Sequence, residues 1–234
     1  MPKSVISVLA HRGWSENARE NTLGAFLEAC RRGADGVELD VRRSADGALV
    51  VHHDAALPDG RQIVNLQVGD LPDWVPLLDA ALDACAGSLV DVEVKNLPGD
   101  PDHDPTEAVP GAVAGLVVER RLEARTVVSS FSLASIDASR GAEPGVPTAL
   151  LTLARFDQHR ALDQAAERGH AGVHPQHNAI DAALVDAAHR SGLAVRAWTV
   201  NEPDRMRALA DMGVDAVITD ALDLALDTLA PWRD

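Results

Sequence analysis

Cysteine is nearly absent from this chain, with only Cys30 and Cys85 among 234 residues. Each closes a helical stripe of apolar side chains, Leu23, Phe26, Leu27, Cys30 and Leu78, Ala81, Leu82, Cys85. Both are therefore expected to be buried thiols of a reduced protein, without a disulfide framework and without thiol chemistry. Runs of lysine and arginine are missing as well. With 36 acids against 21 bases and a formal net charge of −15, no basic patch offers a footing for nucleic acid or an anionic bilayer. A small anionic substrate can still be held by a few local cations. Long hydrophobic runs are lacking too, so no membrane insertion is expected. The apolar stretch from Met1 to Ala10 carries Lys3 but is too short for a signal peptide. The expectation is a soluble, cytoplasmic protein. No Pro/Gly/Ser-rich linker divides the chain, and its length suits one domain, residues 1–234, with a single large core. Its composition is compatible with a homo-oligomer.

What is present is acidity in an unusual place. A strand is expected at Gly36 to Val41, and its alternation turns Glu38 and Asp40 to one face while Val37, Leu39 and Val41 face the other. Two ionised carboxylates at this spacing repel, and burial sharpens the repulsion, so a cation or a shared proton is needed to hold them. The alternative is a solvated strand end neutralised by Arg42 and Arg43. The surroundings favour a metal-assisted site: His11-Arg12-Gly13 precedes the strand, His53-Asp54 follows it, and Glu93-Val94-Lys95 comes further on.

An apolar run from Val5 to Ala10 ends at His11, and a helix starts near Thr22. Then comes Arg32-Gly33-Ala34-Asp35-Gly36-Val37-Glu38, a glycine stop followed at once by a strand. That phrase returns around Gly169, Gly192 and Gly213, and Gly33 to Asp40 shares Gly, Asp, Val and Asp with Gly213 to Asp220 at the same offsets. Further strands are expected near Leu89 to Val94, Thr126 to Ser130 and Thr148 to Leu151. Helices are expected near Leu77 to Ala86, Ala112 to Arg121, Leu133 to Arg140, Asp157 to Arg168, Asp181 to Ser191, Glu202 to Met212 and Asp223 to Leu229. Leu49 to His52 reads as a continuation of the second strand beyond an Asp46-Gly47 bend. Eight strands alternating with helices give an α/β protein, a (β/α)8 TIM barrel, with an open doubly wound sheet as the alternative. His11, Glu38, Asp40, His53, Glu93, Lys95, Ser129, Trp198 and Asp220 all fall at carboxyl ends of expected strands, where the active sites of such barrels lie.

At these residues the chain resembles a known family, the glycerophosphodiester phosphodiesterases. The matching stretches are His11-Arg12-Gly13, Glu20-Asn21-Thr22, Gly33 to Val41, Asp46-Gly47, Val51 with His53-Asp54, Glu93-Val94-Lys95, Ser129-Ser130-Phe131, Trp198-Thr199-Val200-Asn201 and Gly213 to Asp220, in order through nearly the whole chain. The resemblance implies a divalent metal held at Glu38, Asp40 and Glu93, proton transfer by His11 and His53, and a Glu20 that steadies Arg12. Three carboxylates suit Mg²⁺, Ca²⁺ or Mn²⁺ rather than zinc. Histidines near pKa 6.5 suit acid and base work at neutral pH. Arg12 offers a planar fork and Lys95 a point charge to phosphate oxygens. Asn21, Ser129, Phe131 and Trp198 are expected to support or line the pocket. His103, His159, His170, His177 and His189 are read as ordinary loop residues.

The expected reaction is hydrolysis of a small glycerophosphodiester to glycerol 3-phosphate and an alcohol. A lysophospholipase D or phosphoinositide phospholipase on the same site would want an apolar or basic membrane-facing loop, and none is evident. A non-catalytic phosphate-binding barrel would be expected to have lost a carboxylate or a histidine. A zinc amidohydrolase would want two histidines at i, i+2 on the first strand, where only His11 stands. Two departures concern the pocket. Arg19 stands where the family commonly has proline, and Ala55 to Arg61 replaces an Arg-Thr-Thr run. The stretch 55–76 is also a short loop insertion where relatives carry a larger one. An open leaving-group side is therefore expected, tolerant of many alcohols, with Asp59 and Asp73 adding a mild preference for cationic head groups.

Overall fold

The structure, a computed structural model, describes residues 5–233; Lys3 lies outside them. In chain order the strands are β1 (Ser7–His11), β2 (Gly36–Arg43), β3 (Leu49–Val51), β4 (Leu89–Val94), β5 (Thr126–Ser130), β6 (Thr148–Thr152), β7 (Gly172–Pro175), β8 (Ala194–Ala197) and β9 (Ala216–Thr219). The helices are α1 (Leu23–Arg31), α2 (Leu78–Ala84), α3 (Ala108–Glu119), α4 (Leu133–Ala142), α5 (Gln158–Glu167), α6 (Ala182–Arg190), α7 (Pro203–Met212) and α8 (Leu222–Leu229). All strands but β3 are parallel to their neighbours, and β1 pairs with both β9 and β2, which closes an eight-stranded barrel. The expected TIM barrel is what forms.

One expectation is corrected. Leu49–Val51 does not prolong β2; it returns antiparallel to it, with Val41 opposite Val51 and Arg43 opposite Leu49. Asp46-Gly47 is the hairpin turn, Gly47 N–H donating to the Ser44 carbonyl at 3.1 Å, so the chain reverses rather than bends. His52 and His53 therefore lie in the loop beyond β3, not at a barrel strand's end.

The alternation of β2 decides how the barrel is filled. Val37, Leu39 and Val41 join Val90, Val92 and Val94 of β4 in the layer between barrel and helices, all buried. Burying one such side chain contributes on the order of 1.5–3 kcal/mol, so Leu39→Ala would cost roughly 2–5 kcal/mol. Glu38, Asp40 and Arg42 point inward instead. A small apolar cluster of Leu9, Ala216 and Ile218, with Trp198 against it, fills the other side of the barrel interior.

Helix ends follow local chemistry. Thr22, Ser132, Asp157 and Asp181 each accept a backbone N–H at the head of α1, α4, α5 and α6. Gly213 closes α7 at φ 84, a left-handed conformation that glycine adopts without strain. Between β3 and α2 the stretch 55–76 folds into two single 3₁₀ turns over its own cluster of Val50, Leu57, Ile63 and Val75. Cys85 is buried as expected. Cys30 is only half-buried, at the flank of α1, where it accepts from the Ser88 hydroxyl at 3.4 Å. Among the described residues no helix is long and apolar enough to cross a membrane.

Candidate active site

Strand register sets the heights of the acids. Parallel pairing puts His11 level with Glu38, Glu38 level with Asp91, and Asp40 level with Glu93. One carboxylate oxygen each from Glu38, Asp40 and Glu93 lies within 4.8 Å of the other two, and all three residues are buried. Arg42 and Arg43 do not neutralise them, as the solvated-end alternative requires. Arg42 turns to Asp102 instead, its Nη1 at 2.7 Å from both carboxylate oxygens.

Two other cations face the acids. Lys95 Nζ stands 2.5 Å from Glu93 Oε1 and 2.9 Å from Asp40 Oδ1. Arg12 Nε lies 3.3 Å from Asp40 Oδ2, while its Nη1 donates to both oxygens of Glu20 at 3.0 and 3.1 Å. Asn21 Nδ2 donates to Asp40 Oδ2 at 2.7 Å. Arg12 and Asn21 both adopt left-handed backbone conformations, φ 59 and φ 56, rare for residues with a side chain and found where surrounding structure holds them. The twist at Arg12 aims its N–H at the Glu38 carbonyl, 2.9 Å away. Gly13 must be glycine here. At φ 83, a Cβ on it would lie 2.7 Å from the Ala25 backbone.

The cluster is uneven in charge. Burial first, then the charges of Asp40 and Glu93, hold the Glu38 carboxyl well above the ordinary carboxylate range. Burial also raises Glu93 against the pull of Lys95. At Asp40 burial is overcome by Lys95, Arg12, His53 and the Asn21 hydrogen bond, which keep it ionised. Burial opposes the Lys95 ammonium, yet Glu93 and Asp40 hold its pKa above the usual value. Three acids against two shared cations leave a deficit of positive charge, and Glu38 Oε1 is buried without a hydrogen-bond partner among the described residues. An all-oxygen donor set with an unsatisfied buried oxygen fits a hard divalent cation.

The two histidines flank the acids. His11 Nδ1 lies 2.6 Å from Asp220 Oδ1, and Asn201 Nδ2 holds the other oxygen of that carboxylate at 2.9 Å. His11 Nε2 faces inward, 3.8 Å from Glu38 Oε2. His53 Nδ1 bonds to Asp54 Oδ1 at 2.8 Å; burial lowers its pKa despite the charge of Asp40. A carboxylate only accepts, so each ring carries its proton on Nδ1 and presents Nε2 as the exchanging atom. His52 faces the cavity at Trp74 and Arg19, away from Lys95.

The remaining pocket candidates divide. Phe131 and Trp198 meet edge to face, centroids 5.4 Å apart, and Trp198 Nε1 donates to the His174 carbonyl at 2.7 Å. Ser129 points into the barrel but is occupied by Asp91, 2.7 Å away. Beneath the acids, Asp91 also meets Arg196 Nη1 and His174 Nδ1, each at 3.2 Å. Sequence reasoning missed this group, although Asp91 stands two residues before Glu93 on the same face of β4. Asn201 was visible only as part of a motif. A cavity of about 490 Å³ opens beside His53 and Lys95, walled by Leu97, Phe131, Leu153 and Phe156.

Known proteins resemble this chain in sequence and in fold. A glycerophosphodiester phosphodiesterase of Caldanaerobacter subterraneus subsp. tengcongensis is 32% identical over 230 residues, covering 91% of this chain and 93% of that protein. The crystal structure of a glycerophosphodiester phosphodiesterase from Thermotoga maritima matches with a TM-score of 0.81 at 25% identity, over 95% of this chain and 97% of the other. An Oleispira antarctica phosphodiesterase, solved with its product sn-glycerol-3-phosphate, shares the fold with a TM-score of 0.81 at 24% identity, over 97% of each chain. A sequence model of the glycerophosphoryl diester phosphodiesterase family matches residues 11–224, a span that begins at His11 and takes in all three buried acids, both histidines and Asp220. The chain belongs to that family.

Proposed function

We propose that this protein hydrolyses glycerophosphodiesters to glycerol 3-phosphate and an alcohol, with a divalent cation resident at Glu38, Asp40 and Glu93. The observation that carries the reading is the convergence of three buried carboxylates between two histidines, each histidine braced at Nδ1 by a further acid. When bound, the cation supplies positive charge to a phosphate oxygen and lowers the cost of the charge that builds there.

The chain's own groups do the rest. Arg12, fixed by Glu20, and Lys95 present positive charge to the non-bridging oxygens. One histidine accepts a proton at Nε2 from the attacking hydroxyl, and the other donates from Nε2 to the departing alkoxide. Asp220 and Asp54 stabilise whichever ring is positive. The attacking hydroxyl is the glycerol 2-OH, giving a cyclic phosphate that water opens, or water itself. The test is turnover of glycerophosphocholine and glycerophosphoethanolamine with Mg²⁺, Ca²⁺ or Mn²⁺ and with chelator. Undiminished activity in excess chelator would sink the metal.

One observation favours a second reading, hydrolysis of lysophospholipids by the same residues. Leu97 and Phe156, 36% and 48% exposed, stand at the mouth of the cavity beside His53, an apolar lip that a small polar alcohol does not need. Turnover of lysophosphatidylcholine above that of glycerophosphocholine would select it.

A further inference from the structure

The two histidines are held by different means. His11 sits in β1, its backbone in the ladder with β2 and its ring against Asp220. His53 has no ladder. It lies two residues beyond β3, and its ring is bonded to Asp54, a carboxylate 75% exposed. The last backbone bond to β2 is one residue earlier, from His52 N–H to the Asp40 carbonyl at 3.0 Å; the His53 carbonyl itself is held by Arg42, whose Nε donates to it at 2.7 Å.

Arg42 is the last inward-facing residue of β2, after Gly36, Glu38 and Asp40, and is 6% exposed. Its guanidinium is set from the far side by Asp102, both carboxylate oxygens lying 2.7 Å from Nη1, with Asp100 at 3.8 Å. Asp100 and Asp102 belong to the loop after β4, whose Leu97 and Pro98 form the cavity wall opposite His53. One buried side chain thus joins the strand that carries Glu38 and Asp40, the loop that carries His53 and the loop that walls the cavity beside it.

We infer that Arg42 is a positioning residue for the reaction: clamped by Asp102, it fixes the backbone of His53 so that the imidazole Nε2 meets the phosphodiester oxygen at proton-transfer distance. This rests on the reading of His53 as a proton carrier. Proton transfer needs a heavy-atom approach near hydrogen-bond length, and a misplacement of about 1 Å can cost on the order of a hundredfold. A freed His53 loop would lose turnover while the substrate remains held by the residues around the acids.

The experiment is a double-mutant cycle on the metal-loaded enzyme with glycerophosphocholine. Arg42→Met should lower kcat by roughly tenfold or more with KM changed less than about threefold, and Arg42→Lys should recover part of the loss. In a His53→Ala background the same Arg42→Met change should cost less than about twofold, because the group it positions is gone. A merely structural residue would cost the same factor in both backgrounds, which would overturn the inference. Asp102→Asn, which keeps an acceptor beside the guanidinium, should move kcat in the same direction by a smaller factor; it decides the matter if Arg42→Met does not fold, and wild-type kcat in it would then overturn the latch. If His53→Ala alone retains full turnover, the reading of His53 has failed, an outcome separable from failure of the latch.

Discussion

Replacing Glu38 by glutamine should make the metal-free protein more stable and the metal-loaded protein less so. The carboxylates of Glu38, Asp40 and Glu93 stand within 4.8 Å of one another. At that distance and an effective dielectric near 20, each like-charged pair costs roughly 3.5 kcal/mol. Lys95 and Arg12 offset part of this, and protonation of Glu38 relieves more, so a net gain of about 1–2 kcal/mol is expected for the neutral side chain in chelator at neutral pH. In a chain of this size that is a rise in Tm of roughly 2–8 °C. The pH course is fixed by the sign of the shift. The folded-state pKa of Glu38 is raised above its unfolded value, so the protonated acid favours the fold. That contribution is fully present below pH ~4.5 and is lost as pH rises through the folded pKa. Glutamine does not titrate, so its advantage over the native residue should open from about pH 4.5 upward. Excess Mg²⁺, Ca²⁺ or Mn²⁺ should reverse the order, because the native trio binds the cation and gains by mass action while the variant has lost one ligand. Thermal melts of both proteins, in chelator and in each metal across this range, make the comparison. A glutamine variant that melts no higher than the native protein in chelator, or that gains as much from metal, would refute the idea of a cation-deficient acid cluster.

Three further outcomes are expected. His11→Ala and His53→Ala should each lower turnover by roughly a hundredfold or more while metal-induced stabilisation persists, and near-normal turnover in either would remove that ring from proton transfer. His174, fully buried, has its pKa lowered to about 4, chiefly by burial. It should therefore contribute about 3 kcal/mol of stability above pH ~6.5 that is lost as pH falls toward about 4. A His174→Gln variant with the same acid slope in its melting curve would refute this. Across choline, ethanolamine, glycerol and inositol esters kcat/KM should vary within about tenfold, since the cavity beside His53 is wide. Equal activity on bis(p-nitrophenyl) phosphate would show that the glycerol end is not recognised.

Strand alternation alone places Glu38 and Asp40 together and sends Val37, Leu39 and Val41 to the helix layer, because period-two geometry leaves no other choice once the strand exists. The same logic applied to β4 would have found Asp91. Leu49–Val51 was not legible in this way. A hairpin and a bend differ only in the conformation at Asp46-Gly47, and both leave a short apolar run behind them. Nor were the partners of Arg42. Asp102 lies 60 residues on, in a loop whose path follows tertiary packing rather than any local pattern, so in sequence Arg42 looks like a counter-ion for its neighbours. The brace on His11 was half visible: Asp220 ends an expected strand, but its pairing with a histidine at the opposite end of the barrel's circuit requires the barrel to close.

That closure has a consequence for synthesis. β1 pairs directly with β9, and the hydrogen bond from His11 to Asp220 spans 209 residues. A nascent chain leaving the ribosome can lay β2 beside β1 early, with Glu38 and Asp40 already together, but the other edge of β1 stays unpaired until β9 has emerged. During that interval an exposed parallel edge and an unbraced His11 coexist, a state open to chaperones and proteases. Any product ending before β9 carries the acids without the histidine's brace. The catalytic centre is thereby completed only once β9 and Asp220 have been made.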